Sequence, residues 1–204
     1  MILDIKLVSY GDEGVIPPRT KKNSPQIIPG IKHPVLIPSK AFTEWARGVN
    51  RNAGLIQRQL EAVGIKLPIE TPVAIKALVY RDRNVGDWSG FIDAIGDVLQ
   101  TPLWRCTAPV KSDKSKQPKK CGQTFTVPPL LWGSHPHREG KKVRDGLGII
   151  TDDRLIQHWD GSRLMKDAAR PRVELAIKIL PIGPEQPALF DEDTEIEDME
   201  MVGA

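Results

Sequence analysis

The sequence predicts an α/β fold of the α+β sandwich kind, a small sheet packed with two main helices, on three observations. Residues 2–9 and 172–180 alternate apolar and polar side chains as half-buried strands do, and residues 72–80 form a strong apolar strand. Two stretches, about 40–63 and 88–100, repeat apolar residues at helical spacing. Helices and strands interleave along the chain, which calls for a layered architecture. The length of 204 residues suits one domain with a substantial insertion or tail, at about 150 residues per domain.

The first strand ends at Tyr10-Gly11-Asp12. Next comes Ile16-Pro17-Pro18-Arg19-Thr20-Lys21-Lys22-Asn23-Ser24, whose prolines forbid helix and whose cations stay in solvent, giving an extended basic loop. Val35-Leu36-Ile37 reads as a short strand. Ser39 is the predicted N-cap of one helix over residues 40–63, with Phe42, Trp45, Ala46, Val49, Ala53, Ile56 and Leu60 facing inward and Gly64 closing it. After the strand to Tyr80, the turn-like segment Arg81 to Gly86 leads into the second helix, with Phe91, Ile92, Ile95, Val98 and Leu99 on its inner side. Residues 101–146 show no sustained period and are rich in Pro, Lys and Gly, so they read as a long stretch without regular structure. Leu147-Gly148-Ile149-Ile150 precedes Asp152-Asp153, and residues 155–159 look like a strand before the final one.

Composition narrows the function. No apolar run approaches the roughly 18 residues of a membrane span, and the N-terminal residues do not have the pattern of a signal peptide. Two cysteines rule out a disulfide-built scaffold and fit a reducing cytoplasm, the expected location. The net charge of +3 hides an asymmetry, because the eight acids from Glu185 to Glu200 have no Lys or Arg among them. Setting those eight aside leaves 18 acids against all 29 bases, a surplus of eleven in the body. Such a surplus is an electrostatic footprint for a polyanion, with nucleic acid the first candidate and plain solubility the alternative.

Acids are concentrated in two places. Asp87 lies at the entrance of the second helix, and Asp93 and Asp97 share a face four residues apart. Asp152 and Asp153 follow a short apolar run, so they should project from a strand end or turn beside that helix. Carboxylates converging on one place repel each other. A hard cation such as Mg2+ removes that repulsion and can activate a water against a phosphodiester. Taken singly, each acid also has a plain reading: a helix cap at Asp87, a solvated helix acid at Asp97, a turn at Asp152-Asp153.

The order of these features, from the basic Pro-Pro-Arg-Thr-Lys-Lys-Asn loop through the serine-opened helix with Trp45 and the acidic helix ending Asp97-Val98-Leu99 to Gly148-Ile149-Ile150-Thr151-Asp152-Asp153-Arg154-Leu155-Ile156 and the strand Pro171 to Ile177, resembles the RusA family of Holliday-junction resolvases. The likeness covers most of residues 1–100 and 147–180. It implies a small mixed β-sheet in a homodimer, a domain over residues 1–181, and nicking of branched DNA, above all four-way junctions, in recombination and repair. Mg2+, or Mn2+ in its place, would be the cofactor. On that resemblance Asp87, Asp93 or Asp97, and Asp153 with Asp152 beside it, are the catalytic acids, and Asp87, Asp93 and Asp153 the Mg2+ ligands. Arg19, Lys21, Lys22 and Asn23 would guide phosphates. Two positions depart from the family motif: Ser89 stands where the second acid is expected, and Asp93 where the motif has lysine. Asp93 lies one helical turn beyond Ser89 and can supply the missing carboxylate from the same face.

Residues 101–146 form an insertion relative to that family. Lys119, Lys120, Lys141 and Lys142 are among its many phosphate-contacting candidates, and Trp104, Phe125 and Trp132 suit either a small apolar cluster or base stacking. Cys106, Cys121, His135 and His137 are the right types for Zn2+, but their spacing has no Cys-x-x-Cys, so free thiols and surface histidines are the expected state. Residues 182–204 have the composition of a disordered acidic tail. Within it Gln186, Leu189 and Phe190 resemble the short peptide by which bacterial DNA enzymes dock on the sliding clamp. Two other function classes stay open: a DNA-junction-binding accessory protein with weak or no cleavage, held at the clamp by its tail, and a nuclease for flaps or ordinary duplexes.

Overall fold

The computed structural model of the protein describes residues 2–20, 23–26, 35–84, 86–110 and 119–181, with the backbone alone at 23–26, 35–38 and 119. The tail, with Gln186, Leu189 and Phe190, and the loop residues Lys21 and Lys22 lie outside the described residues.

Strand β1 (Ile2–Leu7) buries Leu3, Ile5 and Leu7 and exposes the residues between, as its alternation predicts. A tight hairpin of β2 (Ser9–Gly11) and β3 (Gly14–Ile16) follows, then β4 (Asn23–Gln26) pairs antiparallel with β5 (Val35–Pro38). Ser39 caps helix α1 (Lys40–Asn50), its hydroxyl accepting from the Phe42 amide at 3.2 Å. The single helix expected over 40–63 is in fact two. It breaks at Arg51 and Asn52 and resumes as α2 (Ala53–Ala62). Asn and Gly are poor interior helix formers, and Asn52 and Gly54 sit together here. The Asn52 side chain donates through Nδ2 to the Val8 carbonyl at 3.3 Å, tying the break to the end of β1, while its backbone amide donates to the Val49 carbonyl. The inward residues foreseen for both halves are buried, apart from the partly buried Ala53.

Strand β6 (Val73–Arg81) is the centre of the main sheet, and Val73, Ala74, Ile75, Ala77 and Val79 have no exposed surface. Helix α3 (Trp88–Leu99) follows, burying Phe91, Ala94, Ile95, Val98 and Leu99. Beyond the insertion come β12 (Ile156–His158), β13 (Arg163–Lys166) and β14 (Arg172–Ile179). The sheet runs β1-β14-β6-β12, with β13 also on β6; β14 is antiparallel to both neighbours, and β12 and β13 are parallel to β6. The mixed α/β architecture expected from the sequence is therefore present, with helices packed on one mixed sheet. Arg172 closes the β13–β14 end, pairing with Asp167 at 2.8 Å and Glu174 at 2.5 Å over the Tyr80 ring. Among the described residues no helix is long and apolar enough to cross a membrane.

The largest departure is the insertion. Its described part is folded: β7 (Leu103–Cys106), β8 (Pro109–Val110), β9 (Lys119–Lys120), β10 (Thr124–Phe125) and β11 (Gly140–Arg144), with a three-stranded sheet in the order β10-β7-β11. Strands of two to five residues are too short to print a period on the sequence. Where the insertion leaves and rejoins the domain, its two ends are locked together. A Cβ on Gly146 would stand 2.0 Å from the Gln100 carbonyl oxygen, so only glycine fits, and Arg144 donates to the Gln100 side chain and the Thr101 carbonyl. Amides of Leu147, Gly148 and Ile149 then donate to the carbonyls of Val98, Gln100 and Leu99. They satisfy groups that the end of a helix leaves open.

Candidate functional site

Helix α3 sorts the predicted acids along its length. Asp87 is its N-cap, and one carboxylate oxygen accepts from the Gly90 amide at 2.7 Å and the Ser89 hydroxyl at 3.1 Å. Ser89, at the position where the sequence resemblance led one to expect an acid, is thus a partner of Asp87. Asp93 is exposed one and a half turns on, and half-buried Asp97 follows on the same face. Ten residues of helix separate Asp87 from Asp97, about 15 Å at 1.5 Å per residue.

Asp153 meets the far end. It opens a short 3-10 turn (Asp153–Leu155) that begins where Asp152 accepts from the Arg154 amide at 3.0 Å. The turn packs on α3 at Gly96: a Cβ there would lie 3.4 Å from the Cβ of Asp153. Asp97 is close enough for its charge to act on Asp153. Desolvation against the helix, then the hydrogen bond and charge of Asp152 and the charge of Asp97, push the Asp153 carboxyl above the usual carboxylate range. Asp152 goes the other way. The Arg154 guanidinium, 2.9 Å and 3.1 Å from its oxygens, and the Arg154 amide hold it well below that range.

The structure therefore brings together Asp97, Asp152 and Asp153 and leaves Asp87 at the opposite end of α3. The expected ligand set of Asp87, Asp93 and Asp153 does not surround one point. Among the described residues no three carboxylates gather within 4.8 Å of one another. Asp97 and Asp153 remain as a crowded pair of hard oxygen donors, and Mg2+, which keeps several waters and takes one or two carboxylates, fits a pair better than a cage. Asp152 is already held by Arg154, a residue of the same turn to which the sequence pattern assigns no role.

The basic loop lies at the Asp87 end. Arg19 forms two hydrogen bonds to Asp82, at 3.0 Å and 3.4 Å, and Thr20 crosses the start of α3 so closely that a Cβ on Gly86 would meet its methyl at 2.7 Å. Arg19, expected to guide phosphate, thus anchors the loop. Partial burial raises the Asp82 carboxyl, but the hydrogen bond and charge of Arg19 with the charge of Arg83 together outweigh it and leave that carboxyl lowered. The side chain of Asn23 is outside the described residues, as are those of Lys21, Lys22 and Lys119. Lys120 and Lys141 are exposed, while Lys142 pairs with Asp145 at 2.7 Å and lies over the Trp104 ring.

In the insertion, Phe125 and Trp132 stack on each other with centroids 4.3 Å apart, so the apolar-cluster reading fits these rings better than base stacking. Cys106, Cys121 and His135 converge there, although their spacing had spoken against a site. At the outer turn Leu130 and Leu131 are 85% and 66% exposed, a feature without a sequence signal. No family model, curated protein or solved structure matches the chain.

Proposed function

We propose that the chain is a Mg2+-dependent endonuclease of the RusA type that nicks branched DNA, four-way junctions foremost. The observation that carries this reading is the placement of Asp153 against Gly96 with Asp97 beside it. Desolvation against the helix, then the neighbouring Asp152 and last the charge of Asp97 make Asp153 resist ionisation, and folding alone gives no reason to set a second carboxylate beside such a group. An ion bound there would neutralise the pair and activate water against a phosphodiester. The remaining parts are those a phosphate-rich substrate needs: a basic loop across the start of α3, exposed lysines on the insertion, and a body with a surplus of positive charge. Exposed Leu130 and Leu131 are the kind of side chain that wedges between base steps, which come apart most easily at a branch. A homodimer would match the two-fold symmetry of a junction, and the tail peptide Gln186, Leu189 and Phe190 would hold the enzyme at the sliding clamp.

A second reading has its own support. Among the described residues the carboxylates form a pair and not a three-ligand cluster, and Ser89 occupies the place where the resemblance leads one to expect an acid, as in a junction-binding protein that no longer cuts. A labelled synthetic four-way junction, with linear duplex as competitor, separates the two. Paired symmetric nicks in Mg2+ establish the nuclease. Tight junction binding without cleavage in Mg2+ or Mn2+ establishes the accessory protein, and equal affinity for duplex and junction excludes both.

A further inference from the structure

We propose that Cys106, Cys121 and His135 form a structural zinc site that braces the insertion, with His137 beside it as the candidate fourth ligand. The three donors come from three separate segments: the end of β7, the turn after β9, and the loop beyond Trp132. Their two Sγ atoms and one ring nitrogen all lie within 4.8 Å of one another. Cys121 Sγ is 3.8 Å from His135 Nε2. Zn–S and Zn–N bonds of ordinary length at a tetrahedral angle put such atoms about 3.6 Å apart, so the Cys121–His135 pair is already near the spacing a zinc ion needs, and Cys106 has to close by no more than about 1 Å. The His137 ring lies 5.3 Å from that of His135, centroid to centroid, within reach of the open corner by side-chain rotation.

The backbone is arranged to hold this convergence. Cys106 donates its amide to the Gln123 carbonyl, Gly122 donates back to the Cys106 carbonyl, and Cys121 donates to the Ala108 carbonyl. Gly122 has a φ of +73°, the left-handed turn that lets the chain double back directly after Cys121.

The insertion also needs a brace. Its own core consists of Cys106, Ala108 and Trp132, with Trp104, Cys121 and Phe125 partly buried against them. That is little apolar surface for some forty residues, and units of this size commonly rely on a metal or disulfides. Both cysteines are free thiols, and two thiolates with an imidazole are a soft set that selects zinc over Mg2+. On binding, each thiol releases its proton to solvent and no electron moves, so the site needs no oxidant.

The test is a cobalt titration of the full-length protein, reduced and stripped of metal. One Co2+ per chain, with a thiolate-to-cobalt charge-transfer band and tetrahedral d–d bands that Zn2+ bleaches, is the expected result. Cys121→Ser should lose the bands, and chelation of the wild type should speed amide exchange in residues 103–106 and 120–125 while leaving β6 and β14 protected. Because the titration reads the wild type, it stands even if the variant folds poorly. Reduced wild-type protein that gives no thiolate–cobalt spectrum overturns the proposal, as does an unchanged spectrum in Cys121→Ser. A native protein that carries Cys106 and Cys121 as a disulfide, with no zinc by elemental analysis, overturns it as well.

Discussion

Asp153 packs against Gly96, its Cβ 3.4 Å from where a Cβ on residue 96 would stand. The helix has no side chain where the facing turn presents its acid, and that gap is what lets Asp97 and Asp153 share a site. A methyl group fits at ordinary contact distance. Gly96→Ala is therefore expected to fold at least as well as wild type, with a gain approaching about 1 kcal/mol from helix propensity. Gly96→Leu must push the turn away and should cost about 1–3 kcal/mol. Urea unfolding of the two variants checks this, and a leucine variant as stable as wild type would show that the turn is not packed there.

Like charges facing each other destabilise the metal-free chain. Asp153→Asn should raise its melting temperature in chelator by a few degrees, since about 1 kcal/mol shifts a domain of this size by roughly 2–4 °C. If the Asp97–Asp153 pair holds the ion, excess Mg2+ should then raise the wild type and leave the variant unmoved. Equal Mg2+ shifts in the two, measured by differential scanning calorimetry, would place the ion elsewhere.

Asp82 gives a pH signature. Partial burial works against its ionisation, but the hydrogen bonds and charge of Arg19 prevail, and its folded pKa is depressed. The stability it contributes is full above the unfolded value of about 3.9 and disappears as pH falls through the lower folded value. Asp82→Asn should be less stable than wild type at neutral pH by up to about 1 kcal/mol. The difference should close in acid below about pH 4. A gap that persists at the lowest pH where both fold would mean that Asp82 acts through something other than its charge.

Much of this was legible beforehand, for reasons visible in particular residues. The alternation of Leu3, Ile5 and Leu7, the spacing of Phe91, Ile95, Val98 and Leu99, and Ser39 as a cap all follow from local periodicity, and they recur in the structure. The break at Asn52 was hidden because the apolar spacing runs through it, and the bond of the Asn52 side chain to the Val8 carbonyl is a tertiary contact that spacing does not show. Three acids on one helix read as neighbours in sequence, yet helical rise separates Asp87 from Asp97. The Cys106, Cys121 and His135 cluster is set by pairing among short strands, which no residue interval announces.

Leu130 and Leu131 stand in solvent at the outer turn of the insertion. Leu130→Ser with Leu131→Ser should change stability by less than about 0.5 kcal/mol, as exposed positions do. Their removal should weaken junction binding while leaving duplex binding unchanged, read by competition gel shifts. Equal loss on both substrates would assign the pair to general DNA contact instead of the branch.

The central claim is that Asp153, held beside Asp97, is part of a metal-dependent cutting site. The most direct measurement is cleavage of a labelled four-way junction in Mg2+ by wild type and Asp153→Asn, with junction binding measured in parallel. Paired symmetric nicks by the wild type that vanish in the variant, while the variant still binds, are the predicted result. Nicking by Asp153→Asn at the wild-type rate would contradict the account.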